Sequence, residues 1–304
     1  MKRESIDVFG LGQCCLDYVA RVESYPPPDA KCEFSEMVIQ GGGPVATALV
    51  ALSRWGVPCA FSGVAGDDSF GAMIKRSLDE EGIITQGLIV RAGCGSQFAF
   101  IVAEPGVGRR TVFWRRPTGS APKPDEIDLA LLREAKAFHT DGLFIDASLA
   151  AAREAKRAGV AVVVDAGSLR EGMLDLARES DYFIASEKFA RELVGDESPG
   201  DACRRLMELG PRVAGVTLGA KGYIASFAGG VIERSAYEAD AVDTTGCGDV
   251  FHAGVTYGVV REWPVEKSLD FAAWAAARVS TRLGGREGIP PREGYPGEIV
   301  EQDT

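Results

Sequence analysis

The chain has 304 residues, 46% hydrophobic and 25% charged, a make-up typical of soluble globular proteins and long enough to bury a substantial core. Its net charge of −11 excludes general binding to nucleic acid or to acidic membranes, so a polyanionic ligand would need local donors and a metal. Apolar runs break within about a dozen residues, short of the ~20 that a membrane span requires. The start, Met1-Lys-Arg-Glu-Ser5, reads as carrying no signal peptide. Cysteines stand at 14, 15, 32, 59, 94, 203 and 247, with no CxxC pair and no ligand spacing to His139 or His252. Reduced thiols, no zinc site and a cytoplasmic location are the expectation.

A first strand over 6–10 runs into Leu11-Gly-Gln-Cys-Cys-Leu-Asp17. Its GxG has no third glycine and no long helix after it, which rejects a dinucleotide-binding turn. Small and apolar residues recur at helical spacing over 43–55 and stop at Gly56-Val-Pro58. A strand over 59–63 and a helix over 69–81 come next. Segments 97–103 and 110–114 flank the turn Glu104-Pro-Gly-Val-Gly108 and read as a β-hairpin. With strands around 14–22 and 33–39, the hairpin predicts a small separate sheet, a lid formed by about 13–39 and 94–116. From 137 onward, strands over 137–140, 160–165, 182–185 and 213–218 alternate with helices such as 148–157, which predicts a parallel sheet covered on both faces. A hairpin over 222–228 and 231–235 and helices at about 247–262 and 265–283 complete the pattern. No repeat or linker divides it, so residues 1–304 are expected to form one α/β domain with the lid inserted in its first half.

The most informative stretch is Asp243-Thr-Thr-Gly-Cys-Gly-Asp249, followed by a helix-like run. Gly246, Cys247 and Gly248 leave successive N–H groups uncovered where a helix begins, a seat for phosphate oxygens. Asp249 beside them could take a proton from an attacking hydroxyl, the pairing that phosphoryl transfer to an alcohol requires. The bland alternative is a Gly-rich turn with Asp249 as a helix cap.

Together with this motif, three further stretches resemble the ribokinase-like (PfkB) family of carbohydrate kinases, in the family's order and over nearly the whole chain. They are Gly41-Gly-Gly-Pro44 after Asp17, Gly63-Val-Ala-Gly-Asp-Asp-Ser-Phe-Gly71, and Thr217-Leu-Gly-Ala-Lys-Gly222. The resemblance implies a Rossmann-type α/β/α sandwich with a β-sheet lid, and ATP-dependent, magnesium-assisted phosphorylation of a sugar hydroxyl. By the same resemblance Asp249 is the catalytic base, and Gly246, Cys247 and Gly248 form the anion hole. Asp17 would bind sugar hydroxyls, with Gly42, Gly43 and Thr47 beside it. Thr217, Gly219 and Gly222 would approach the nucleotide, and Ser186 opens the helix where the family helps place magnesium. Many relatives also hold a monovalent cation, here potassium near Asp243. Lys221 reads as a phosphate contact or a solvated turn residue. A thiol at a helix start can be reactive, but Cys247 reads as a small residue replacing alanine. His252 reads as packing.

Departures bear on the substrate. Ala46 and Gly43 stand where many relatives carry polar side chains that hold sugar hydroxyls, and Phe189 replaces the glutamate of the family's Asn-x-x-Glu. The glycine-rich loop resembles that of bacterial sulfofructose kinases, and the spacing before it resembles ketohexokinase. Arg115 and Arg116 at the end of the hairpin are candidates for gripping an acidic substrate, Lys123 a weaker one. Their alternative is a solvated sheet edge. Phe98, Phe100, Phe113 and Trp114 read as lid packing. A kinase for a sulfo- or phosphosugar, a nucleoside kinase and a catalytically silent binder stand as rivals, and the lid edge suggests a homodimer.

Overall fold

The computed structural model describes residues 5–104 and 109–297. In chain order it comprises β1 (Val8–Leu11), β2 (Cys15–Arg21), β3 (Glu36–Gly42), α1 (Pro44–Arg54), β4 (Cys59–Gly66), α2 (Ser69–Asp79), β5 (Ile84–Arg91), β6 (Phe98–Glu104) and β7 (Arg109–Arg115). Next come α3 (Leu129–Leu132), β8 (Ala137–Thr140), α4 (Ile145–Ala158), β9 (Ala161–Ala166), α5 (Met173–Arg178), β10 (Tyr182–Ser186), α6 (Glu187–Val194) and α7 (Pro199–Met207). The last elements are β11 (Val213–Thr217), β12 (Tyr223–Phe227), β13 (Gly230–Arg234), α8 (Cys247–Val260) and α9 (Val265–Val279).

The main sheet runs β13-β12-β11-β10-β9-β8-β1-β4-β5, parallel except for the antiparallel hairpin β12–β13 at one edge. Its strands are apolar almost throughout, as expected for strands covered on both faces. Alternate residues separate the two sides. Phe9, Phe138, Val162, Val164, Phe183 and Val216 pack against α4 to α7. Val8, Phe61, Val163 and Ile184 face the opposite way, toward α1, α2, α8 and α9. Helix α8 is buried on nearly every side, so its position is fixed by the core and not by its exposed residues.

The second sheet, β3-β2-β6-β7, is built from the segments expected to form the lid, and is called the lid sheet below. Strand β3 runs on through Gly41 and Gly42, so the lid reaches past residue 39 and joins α1 directly. The predicted turn after Glu104 falls largely on residues 105–108, outside the described residues. Strand β5 was not foreseen. Its sequence, Ile-Thr-Gln-Gly-Leu-Ile-Val-Arg, has a glycine and a glutamine inside it, and parallel pairing with β4 overrides that weak propensity.

Candidate active site

The site gathers where the main strands end, the place where open α/β sheets bind ligands. Asp243 shapes its centre. One carboxylate oxygen accepts the Thr245 amide (2.9 Å) and hydroxyl (2.8 Å), and the other accepts the Gly284 amide at 2.9 Å. This clamp turns the chain into Gly246, whose φ of 76° is left-handed and suits glycine. A Cβ there would also lie 2.6 Å from the Gly285 Cα. Helix α8 begins at the next residue. Among the described residues the amides of Gly246, Gly248 and Asp249 have no protein acceptor, and that of Cys247 makes only a long 3.4 Å bond to the Thr244 carbonyl. The space a Gly248 Cβ would occupy is open. Uncovered donors, a helix start and room in front of them make an anion seat.

Asp249 is half-buried beside that seat. Burial pushes its carboxyl up to about 7, the Asp165 charge adds to the push, and His252 and Arg110 oppose it. His252 fixes the turn, because one ring nitrogen meets the Gly248 carbonyl at 2.6 Å and the other meets the Ile184 carbonyl of β10 at 3.1 Å. Cys247 is no reactive thiolate, since burial pushes its thiol up to about 12.

The lid supplies the opposite wall. Asp17 on β2 is 6% exposed, and its carboxylate accepts the Cys15 thiol at 2.9 Å. Burial raises its pKa, which the Cys15 bond and the Arg286 charge oppose. A Cβ at Gly42 would collide with the Asp17 carboxylate, so the bare backbone of β3 makes room for it. Arg110 on β7 reaches across to the central motif and donates to the Thr244 hydroxyl (2.6 Å) and carbonyl (3.2 Å).

A model of pfkB family carbohydrate kinases matches residues 5–292. The chain belongs to that family. It is 28% identical to a protein named ATP-dependent ribose-1-phosphate kinase from Halopiger xanaduensis, covering 92% of this chain and 94% of the relative. It is 27% identical to fructokinase-2 of Zea mays, covering 93% and 91%. The structure of Arabidopsis thaliana ribokinase complexed with ribose and ATP superposes with a TM-score of 0.80 at 23% identity, covering 95% of this chain and 97% of that one. The fold is therefore ribokinase-like, and the protein is a sugar phosphotransferase.

The remaining predicted residues of this kinase fall into two groups. Gly219 (φ 60°) and Gly222 (φ 98°) shape the turn after β11, where the Thr217 hydroxyl donates to the Ala185 carbonyl at 3.4 Å. Lys221 lies over Glu187 at 3.4 Å. Ser186 caps α6, its hydroxyl accepting the Phe189 amide (3.0 Å) and donating to the Gly167 carbonyl (2.9 Å), so its side chain is spent on the fold. Phe189 is wholly buried against Phe183, a core role that explains its place in the motif. Thr47 is only 2% exposed inside α1, and Gly43 precedes that helix with φ 97°. Arg115 pairs with Phe98, whose ring packs on Phe70, and so lies on the face opposite Asp17.

Sequence reasoning missed Arg110, Asp141, Asp165, Arg170 and Arg286. Asp141 follows β8 and accepts the Gln13 amide (2.8 Å) and Leu143 amide (2.9 Å), while burial lifts its carboxyl to about 6. Arg286 is 5% exposed, with its Nε unpartnered and its Nη1 on the Ser77 hydroxyl at 3.4 Å. Each stands alone in the sequence. Only the polar residue at the end of an apolar strand, as at Asp141 and Asp165, was a readable signal.

Proposed function

We propose that this kinase transfers the γ-phosphoryl group of ATP to a sugar hydroxyl, with Asp249 as the base and the amides of Gly246, Cys247 and Gly248 as the anion hole. The supporting observation is a half-buried carboxylate beside unpartnered helix-start amides. The sugar oxygen bonds to phosphorus as the bond to the ADP oxygen breaks, and the hydroxyl proton passes to Asp249. A carboxylate lifted to about 7 holds that proton better than an ordinary aspartate. Charge spreads over the phosphoryl oxygens in a loose transition state, where fixed amides and the Arg110 guanidinium stabilise it. Asp17 accepts hydroxyls of the sugar, and lid closure keeps water from competing as the acceptor.

Thr217, Gly219 and Gly222 would border the nucleotide, with Ser186 contributing through the helix it caps. Among the described residues no cluster of three or more His, Cys, Asp or Glu is placed to hold a metal. Magnesium would therefore enter on the ATP phosphates, neutralising their charge while keeping much of its water. A potassium ion beside Asp243 would share oxygens already bonded to Thr245 and Gly284. Ile39, Phe100 and Phe113 stand exposed on the outer lid face, which favours a homodimer through the lids. All seven cysteines are free, in keeping with a cytoplasmic setting, and no described helix is long and apolar enough to cross a membrane.

ADP release measured over a sugar panel tests this function. Asp249→Asn should lower turnover by about 10³-fold with ATP binding retained. A variant keeping more than a few per cent of the wild-type rate would remove Asp249 from the role of base.

A further inference from the structure

At the end of α8 remote from the anion seat, a cavity of about 610 Å³ opens between the last turn of α1, the end of α8 and the start of α9. That is the size of a small-ligand site. Its charges are one-sided. Arg54, Arg261, Lys267 and Arg292 line it, with Glu293 as the one carboxylate of the lining, in a chain whose net charge is −11. A cleft walled by one sign of charge focuses the field inside it and concentrates counter-ions there.

Two of these cations are held by ring faces. The Arg261 guanidinium lies over Tyr257, 5.1 Å from the ring centroid, and the Lys267 ammonium lies over Trp263 at 4.5 Å. Those two rings meet edge to face at 5.2 Å, and Tyr257 packs in the same way on the buried Trp55 at 5.8 Å. One packed aromatic block therefore carries both charges, with much of their side-chain freedom already spent. Arg54 is occupied by Glu81, and Arg292 lies 3.3 Å from Glu293. Arg261 has no acid partner among the described residues. A stacked cation alone makes no site: Arg116 lies over Trp114 at 4.5 Å beside the lid sheet, outside this cavity. At Arg261 and Lys267 the stacking, the cavity and the charge coincide. Gly56 leaves space on the same wall, since no atom lies within 4 Å of where its Cβ would be.

Contacts tie these walls to the active site. Helix α8 starts at the anion seat and runs 14 residues to Arg261, about 20 Å. Arg54 Nη1 donates to the Arg286 carbonyl at 2.6 Å, and Trp55 Nε1 donates to the Pro290 carbonyl at 2.9 Å. Just before that segment, the Gly284 amide bonds to Asp243 and Gly285 packs on Gly246.

We propose that this cavity is an effector site for a phosphate ester, separate from the active site, with Arg261 and Lys267 gripping the phosphoryl oxygens. Charge-assisted hydrogen bonds from the guanidinium and the ammonium replace water around the phosphate, and the organic part of the ester fills the space at Gly56. The ligand acts on the anion seat through the walls that the two sites share, so each site changes the affinity of the other by the same factor.

Calorimetry and ADP-release kinetics test the site, with AMP and glucose 6-phosphate as probes and adenosine and glucose as controls lacking the phosphate. At least one ester should bind the wild type. Arg261→Met combined with Lys267→Met should weaken that binding about tenfold or more, Arg261→Lys alone should keep most of it, and the controls should bind both proteins alike. Preference for AMP would make the natural ligand a nucleotide, and preference for glucose 6-phosphate a sugar ester; either supports the site. The double variant should keep its kcat within about twofold when no probe is present. In the wild type a saturating probe should change kcat/KM for ATP about twofold or more, and the double variant should lose that response. A probe with the same binding and the same kinetic effect in both proteins acts at the active site alone. That outcome for both esters, or no binding of either, would overturn the proposal. Binding lost in the double variant with no kinetic response in the wild type would overturn the effector role. The binding readout stands apart from the choice of Asp249 as base.

Discussion

An ionised Asp249 should cost the fold stability, and Asp249→Asn should recover it. Burial and the neighbouring Asp165 lift this carboxyl from 3.8 to about 7. Because the folded value lies above the unfolded one, the folded chain binds the proton more tightly. The penalty is absent below pH ~4, grows as pH rises, and is complete above pH ~7. About three units at 1.36 kcal/mol each set a ceiling of about 4 kcal/mol. Partial exposure reduces this to about 2 kcal/mol. For a chain of this length, that corresponds to a rise of about 4 °C in Tm. Thermal unfolding of wild type and Asp249→Asn, followed by circular dichroism at pH 8 and pH 4.5, measures it. The variant should melt higher at pH 8, and the gap should close at pH 4.5. An equal or lower Tm at pH 8 would refute the view that desolvation and Asp165 raise this pKa.

Further outcomes follow from the same geometry. As the base must be ionised, kcat/KM should fall about tenfold per unit as pH drops below ~7, and a profile flat down to pH 5 would contradict the raised pKa. Arg110→Ala removes the lid's cation from the Thr244 loop and should lower kcat about 10²-fold, with a smaller change in the KM for ATP; steady-state kinetics in both substrates separates the two. Gly222→Ala places a Cβ against the Arg234 carbonyl at a φ of 98°, so it should destabilise by about 2 kcal/mol and raise the KM for ATP, read by Tm and initial rates.

Much of the main sheet was legible because its strands are short apolar runs punctuated by turns, and their parallel order follows from the helices between them. The second sheet was legible from the segments 97–103 and 110–114 flanking a Gly/Pro-rich turn, which the structure places in β6 and β7. Its faces were not, since the side on which Arg110 and Trp114 fall depends on register with β6 and β2, a long-range pairing. The Asp243–Asp249 motif was readable because uncovered amides need small residues in a row. Arg110 was not, for its contact with Thr244 spans 134 residues and a lone arginine in a hairpin carries no local sign of it. Phe189 shows the converse: a motif position that looked like a lost metal contact is filled by the core.

The most direct test of the account is a crystal structure with a non-hydrolysable ATP analogue, magnesium and a bound sugar. The γ-phosphate should lie on the amides of Gly246 to Gly248, with the acceptor hydroxyl between it and Asp249. A γ-phosphate bound away from the start of α8, or an Asp249 carboxylate out of hydrogen-bond reach of the sugar, would contradict it.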